Sequence, residues 1–200
     1  MTAVKSNAAQ PQRIAAVVLY AETRGFTRTS EILEPSVVLA RVVEFFAVVK
    51  AAVERRGGVV RSVLNDTLAA SFEGEGNAGH AVEAAQEIQA EFITIEEKWA
   101  SEYGIRAAVA LGLHAGEAVV GPAGEVMPGQ SLIVGDTLSV AERLLHRARA
   151  GEYVLSKTVM DALAAGGFEL EAKALPPLEM PRREPMPLFG VLRDARLDFT

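Results

Sequence analysis

Cysteine is absent from all 200 residues, so the chain can form neither disulfide bonds nor thiolate metal sites. Uninterrupted apolar runs are short, and none approaches the ~18 residues that a membrane-spanning helix requires. Lysine and arginine number 20 against 26 acidic residues, and they form no stripe interleaved with aromatic side chains. The net charge of −6 therefore argues against a nucleic-acid-binding surface. From these absences we expect a soluble cytoplasmic protein that binds neither membranes nor nucleic acids.

Half of the residues are apolar, which is enough for one compact domain with a sizeable core. Residues 1–12 contain no continuous apolar segment of the kind that signal peptides carry. We interpret them as a flexible N-terminal tail. Residues 13–200 show no internal repeat and no boundary, and they are predicted to form a single domain.

Apolar residues at three- and four-residue steps predict helices over 35–56 and 80–102, a third from Gly135-Asp136-Thr137 and a short one capped by Ser156. Asp136 or Thr137 is the expected cap of the third. Short β-type runs predict strands over 14–20, 59–64, 68–72, 105–113, 117–120, 153–155 and 188–192. This order is typical of an α+β protein, a ferredoxin-like sandwich with a largely antiparallel sheet and helices on one face.

The stretch Leu19–Thr27 links the first predicted strand to a helix. It contains a carboxylate, Glu22, and a glycine, Gly25. A carboxylate at a strand end can hold a metal, and the N–H groups of a glycine turn entering a helix can hold phosphates. By itself such a stretch is more often a plain connection.

Five stretches taken together resemble the sequence of one known family. Leu19–Thr27 resembles the F-A-D-I-R-G-F-T stretch that opens the catalytic domain of class III adenylate and guanylate cyclases. Four more follow in that family's order: GGVVRSVLNDTLAASF (57–72), LGLHAGEAVVG (111–121), IVGDTLSVAERL (133–144) and GEYVLSKTVMDAL (151–163). The resemblance runs from about Arg13 to Leu192. It implies the cyclase version of the ferredoxin-like core, with extra C-terminal strands.

The resemblance implies a two-metal site for a nucleoside triphosphate. The family's two metal-binding Asp residues fall on Glu22 and Asp66, so Mg²⁺ or Mn²⁺ is expected where a nucleotide is bound. Glu22 keeps the charge but adds a methylene, which is expected to weaken a Mg²⁺ site. Without the resemblance, Asp66 is an ordinary turn residue. Gly25, Phe26 and Thr27 fall where the family cradles the triphosphate.

In the same alignment, this chain lacks the residues with which the family recognises the base. The adenine-selecting Lys of the family falls on Ser62 and its partner Asp on Leu132. Serine can still make one hydrogen bond, whereas leucine can make none, so discrimination between bases should suffer. The pair does not match the usual guanine-selecting residues either.

Of the two residues with which the family contacts the transition state, one is replaced and one is present. The family's Asn on the third helix falls on Ser139, and its Arg is present as Arg143. Their i, i+4 spacing places both on one helical face, although Arg143 also suits an exposed helix charge. Arg182, within Met180-Pro181-Arg182, stands where the family carries a Lys-Gly-Lys tract for the terminal phosphate.

Two functional hypotheses remain open. The first, which we favour, is a catalytically degenerate regulatory module. It would form a head-to-tail homodimer, or a heterodimer with another cyclase domain, and would retain ATP or GTP binding at most. The alternative is an active cyclase that converts ATP or GTP to the 3′,5′-cyclic nucleotide and pyrophosphate by two-metal catalysis. The three histidines lack ligand spacing and are interpreted as structural or surface residues.

Overall fold

The computed structural model describes residues 10–127 and 129–193. Its elements follow the chain in the order β1 (Gln12–Arg24), α1 (Phe26–Ile32), α2 (Pro35–Arg55), β2 (Val59–Leu64), β3 (Thr67–Glu73), α3 (Asn77–Tyr103), β4 (Ala108–Pro122), β5 (Ser131–Val134), α4 (Asp136–Arg147), β6 (Glu152–Ser156), α5 (Lys157–Ala165), β7 (Lys173–Leu178) and β8 (Met186–Leu192). Residues 1–9 of the predicted tail lie outside the described residues, and β1 begins at Gln12.

The described strands form one mixed sheet in the order β2-β3-β1-β4-β6-β8-β7, with β5 paired to the far end of β4. β4 and β6 run parallel, and the remaining pairs are antiparallel. This confirms the predicted α+β class and its largely antiparallel sheet. No helix in the described part of the chain is both long and apolar enough to cross a bilayer.

One face of the sheet carries the main core, and α2, α3 and α5 pack on it. Alternate residues of β1, namely Val17, Leu19 and Ala21, point into this core, as the two-residue period of a strand requires. The helices contribute aromatic side chains: Phe92 lies edge-on to both Phe45 and Trp99, with ring centroids 5.8 and 5.6 Å apart. The predicted stripe of α3 is buried as expected.

The opposite face of the sheet, here called the α4 face, is covered in part by α4. Val140, Leu144 and Leu145 of α4 pack against Ala110 and Val154, which alternate with the core-facing residues of their strands. The expectation of helices on one face is therefore wrong for α4. An amphipathic pattern tells which side of a helix is apolar, but not which side of a sheet receives it.

Close packing of α4 depends on Gly112 in β4. A Cβ atom at this position would lie 2.2 Å from the Leu145 nitrogen and 2.4 Å from the Ala141 oxygen. Both are backbone atoms of α4, so no side-chain movement could relieve the contact. Glycine thus allows the helix backbone to lie directly on the strand.

Two strands are longer than predicted. β1 continues past Tyr20 to Arg24, because it pairs with β4 along its whole length. β4 is one strand where two were predicted, and the break expected between them at His114-Ala115-Gly116 is wrong. Those residues pair in register with Val18, Val17 and Ala16 of β1. Neighbouring strands supply the hydrogen bonds that keep both segments extended.

Two strands and one helix, β5, β7 and α1, lie outside the residue ranges predicted from the sequence pattern. β7 contains Pro176 and Pro177, which are tolerated because β7 is at the edge of the sheet and its register shifts between Leu175 and Leu178. β5 and α1 are short and carry weak patterns. At α4 the N-cap residue is Gly135, without a side-chain cap, so the expected cap at Asp136 or Thr137 is wrong. The Thr137 hydroxyl instead donates to the Glu117 carbonyl at 2.6 Å.

Candidate functional site

Two carboxylates come together at one end of the sheet. Glu22 lies within β1, on the α4 face, and its Cα pairs with Thr67 of β3. Asp66 precedes Thr67 in the two-residue turn of the β2–β3 hairpin, where Asn65 adopts a positive φ of 53°. The hairpin was predicted correctly, and Asn tolerates this left-handed conformation. Residues 44 positions apart in the chain therefore become neighbours through strand pairing.

The charges of these two groups interact. Burial raises the pKa of Asp66 above its ordinary value, and the negative charge of Glu22 raises it further. The side chain of Glu22 is only 18% exposed. Two partly buried carboxylates that repel each other are a favourable place for a cation. Among the described residues, no group of three or more His, Asp or Glu side chains is arranged so that it could hold a metal ion.

Arg24 supplies the cation that Glu22 contacts within this structure. Its Nη1 forms an ion pair with Glu22, and its Nη2 donates to the carbonyls of Leu145 and Ala148 at 2.7 and 2.9 Å. Those carbonyls end α4, where a positive charge stabilises the helix dipole. Sequence reasoning missed this role. The available signal was spacing, because residues two apart in a strand share a face.

Gly25 lies between β1 and α1 and is the N-cap residue of α1. Its φ of 91° is left-handed, and a Cβ atom there would lie 2.8 Å from the Arg106 carbonyl oxygen, so glycine is required on both counts. Both the amide and the hydroxyl of Thr29 donate to the Gly25 carbonyl. Phe26 and Thr27 form the first turn of α1, whose amides have no acceptor within the helix. The predicted phosphate-binding residues thus directly follow the carboxylate strand.

The two positions predicted to contact the transition state, Ser139 and Arg143, lie on α4, but Arg143 already donates to groups of its own chain. Its Nη2 donates to the Glu179 carbonyl at 2.6 Å, and its Nη1 to the Met180 sulfur at 3.0 Å. Ser139, one turn earlier, is exposed. Arg143 therefore joins α4 to the segment that follows β7. Arg182 in this segment is exposed and has a positive φ of 61°.

The two strands that carry the predicted base-recognition positions, Ser62 and Leu132, approach each other. Ser62 in β2 pairs with Ala69 and so shares the α4 face. Leu132 lies in β5 and is 47% exposed. β2 and β5 are not hydrogen-bonded neighbours, yet their Cα atoms come within 8 Å. The fold therefore brings together two strands that are more than 60 residues apart in sequence.

His114 is buried within the sheet. Its Nδ1 lies 2.8 Å from the Ser156 hydroxyl, and burial lowers its pKa to about 4. It is therefore neutral at pH 7 and belongs to a structural hydrogen-bond network, as the interpretation of the histidines expected. Ser156 occupies the N-cap position of α5, although its side chain makes no capping hydrogen bond.

Comparison with known proteins identifies the family. The family model described as the adenylate and guanylate cyclase catalytic domain matches residues 9–189 of this sequence. The chain belongs to the adenylate and guanylate cyclase catalytic domain family. It is 27% identical over 145 residues to an adenylate cyclase of Anabaena cylindrica, which covers 70% of this chain and 28% of that protein. The chain thus spans little more than a quarter of that relative.

Solved cyclase structures share the fold. The adenylyl cyclase CyaB of P. aeruginosa superposes with a TM-score of 0.82 at 19% identity, covering 96% of this chain and all of that one. The guanylate cyclase domain of RhGC from Catenaria anguillulae, in complex with GTP, superposes with a TM-score of 0.76 at 19% identity, covering 91% and 97%. These likenesses confirm the cyclase fold.

Proposed function

We propose that this cyclase domain is a dimerising regulatory module that binds a nucleoside triphosphate with a divalent metal ion and turns it over slowly or not at all. The observation that carries the proposal is the closeness of two carboxylates, because Glu22 pairs with Thr67, the residue after Asp66. Burial raises the pKa of Asp66, and the negative charge of Glu22 raises it further. We consider binding and turnover separately. The residues proposed to bind the metal and the triphosphate are close together in the chain fold, whereas Arg143, proposed to act in turnover, is bound by its own chain.

Metal and triphosphate binding are supported by the donor set. Mg²⁺ is usually held by one or two carboxylates together with substrate phosphates and water, so Glu22 and Asp66 fit without a third protein carboxylate. A bound divalent ion would offset the negative charge of the phosphates. Gly25, Phe26 and Thr27 would supply backbone N–H groups beside it. Arg24 is a competitor, since it neutralises Glu22 in the structure described here.

Slow turnover is supported by two side chains of α4, Arg143 and Ser139. Arg143 donates to two acceptors of its own chain, and Ser139 has a shorter side chain than the family's Asn. The loss of one preorganised donor typically lowers the rate by about two to three orders of magnitude. Leu132 offers no hydrogen bond to a base, so base discrimination at that position is lost.

Dimerisation is supported by exposed apolar residues on β2 and β5. Val63 and Leu64 are 52% and 71% exposed, and Leu132 and Val134 are 47% and 58% exposed. Such a concentration is typical of an association surface. The family resemblance implies that two protomers, head to tail, complete each site, either as a homodimer or with another cyclase domain.

A second candidate is an active cyclase of relaxed nucleotide choice, acting on ATP or GTP. It is favoured by the survival of both carboxylates together with Arg143. A partner protomer that released Arg143 from the Glu179 carbonyl would restore one transition-state donor. Measurable turnover would favour this candidate over the first.

Calorimetric titration separates these outcomes. Non-hydrolysable ATP and GTP analogues would be titrated with Mg²⁺ and with Mn²⁺ into the wild type, Asp66→Ala and Asp161→Ala. Asp161 is a matched control, because it is an exposed carboxylate paired with Lys157 in α5. We expect metal-dependent binding in the wild type and the control, and at least tenfold weaker binding in Asp66→Ala.

Turnover and mass are measured alongside. Cyclic-nucleotide formation near background, with a dimer in sedimentation, is the result expected of the regulatory module. Rapid formation of the cyclic nucleotide would refute the regulatory module and support the active cyclase. Absence of nucleotide binding under every condition would refute both candidates.

A further inference from the structure

β2 departs from regular pairing at Arg61. Val60 pairs with Ala70 and Ser62 with the adjacent Ala69, so Arg61 is an extra residue at a β-bulge. A bulge re-aims a side chain that regular alternation would send to the other face. Here Arg61 and Ser62 both reach the α4 face, since Arg61 contacts Ser71 and Glu73, which lie on that face of β3.

Two contacts hold the Arg61 guanidinium in place. Its Nε donates to the Ser71 hydroxyl at 2.8 Å, and its Nη2 forms an ion pair with Glu73. The side chain of Arg61 is 14% exposed and Ser71 is buried, whereas Glu73 is 39% exposed. The group is therefore preorganised rather than a freely moving surface charge.

Hydrogen-bonding capacity remains at this pair. Arg61 Nη1 makes no hydrogen bond with the described residues. It is also not one of their buried polar atoms that lack a hydrogen-bond partner. Only one carboxylate oxygen of Glu73 is used, and it is shared by Arg61 and Ser71. A fixed donor thus lies beside a free acceptor, one residue from Ser62 and on the strand that β5 approaches.

We propose that Arg61, held by Glu73 at the β2 bulge, recognises the purine base and makes this domain selective for guanine nucleotides. This inference rests on the proposed nucleotide binding. It assigns to the neighbouring residue the recognition that Ser62 and Leu132 have lost.

The chemistry of the two purines distinguishes them at this pair. Guanine presents two adjacent acceptors, N7 and O6, which match the parallel N–H groups of a guanidinium. Its exocyclic N2 amino group is a donor that the free oxygen of Glu73 can accept. Adenine places an amino donor where guanine has O6, so a guanidinium meets a donor there. A bidentate contact of this kind discriminates by about tenfold or more.

The test compares GTP and ATP analogues, with Mn²⁺, on the wild type, Arg61→Ala, Arg61→Lys, Glu73→Gln and a control, Arg55→Ala. Arg55 is also ion-paired to glutamates, but it lies in the α2–α3 layer away from the α4 face. The readout is the ratio of the two dissociation constants. A purely structural role of Arg61 would weaken both nucleotides equally and leave this ratio unchanged.

We expect the wild type and Arg55→Ala to favour the GTP analogue by about tenfold or more. The ratio should fall to about one in Arg61→Ala and Arg61→Lys, and decrease in Glu73→Gln. Arg61→Lys keeps the charge, so it tests the bidentate geometry even if the alanine variant is unstable. Equal affinities in the wild type, or an unchanged ratio in Arg61→Lys, would overturn the inference while leaving nucleotide binding intact. No binding of either analogue would instead overturn the proposed function, and this inference with it.

Discussion

Replacement of Gly112 by alanine should destabilise the domain strongly. The added Cβ would lie 2.2, 2.4 and 2.8 Å from the nitrogen of Leu145, the oxygen of Ala141 and the carbonyl carbon of Leu144. Non-bonded heavy atoms prefer separations of about 3.5–4.0 Å, so α4 and β4 would have to move apart by more than about 1 Å. Since all three atoms belong to the backbone, the whole helix must move.

The expected cost combines two effects. Overpacking of a well-packed core typically costs about 1–3 kcal/mol. Movement of α4 would also stretch the hydrogen bonds from Arg24 to Leu145 and Ala148, and a hydrogen bond to a charged group contributes about 1.5–3 kcal/mol. We therefore expect the free energy of unfolding to fall by about 3–5 kcal/mol, and the Tm by about 10 °C.

Denaturant unfolding followed by circular dichroism measures this loss, with Gly166→Ala as the control. Gly166 has an ordinary φ of −84°, and its nearest contact for a new Cβ would be 3.5 Å. We expect the control to lie within about 0.5 kcal/mol of the wild type. If Gly112→Ala were as stable as Gly166→Ala, the close packing of α4 on β4 would be refuted.

Three further predictions concern ionisable groups. Arg24→Gln should lower the free energy of unfolding by about 2 kcal/mol, because α4 loses its C-terminal partner, yet raise Mn²⁺ affinity in calorimetry by freeing Glu22; weaker Mn²⁺ binding would contradict the competition. Glu22→Gln should lower the pKa of Asp66 in a carboxyl NMR titration, and an unchanged pKa would show that the two groups are not close. His114 has a folded pKa of about 4, so the unfolded chain binds its proton first as the pH falls. Stability should therefore decrease from pH 6.5 towards pH 4 by up to about 3 kcal/mol. His114→Asn should show a shallower decrease, and an identical pH profile would argue against this assignment.

Local patterns were sufficient for much of the fold. The bounds of α2 and the buried stripe of α3 follow from the helical period, and Asn65 marks the hairpin turn by its tolerance of positive φ. The family resemblance added the order of the remaining elements. Each of these features depends on residues that are close together in the chain.

Side-chain partners across long sequence separations were not accessible in this way. Arg61 was predicted only as a charge within a strand, and Arg24 only as part of the connection after the first strand. Arg24 reaches a carbonyl 121 residues away, and Arg61 contacts Glu73 only because β2 bulges against β3. Strand register depends on the neighbouring strand, which the local sequence does not describe.

The sequence by itself thus determined the α+β class, the main helices, the hairpin and the candidate residues of a cyclase-like site. Tertiary structure alone decided that α4 lies on the opposite face of the sheet and that Glu22 meets Asp66. It also decided that Arg143 is engaged by its own chain. The physical reason is that helical period and turn preference are properties of neighbouring residues, whereas burial, charge interaction and close packing arise only when distant segments share one volume.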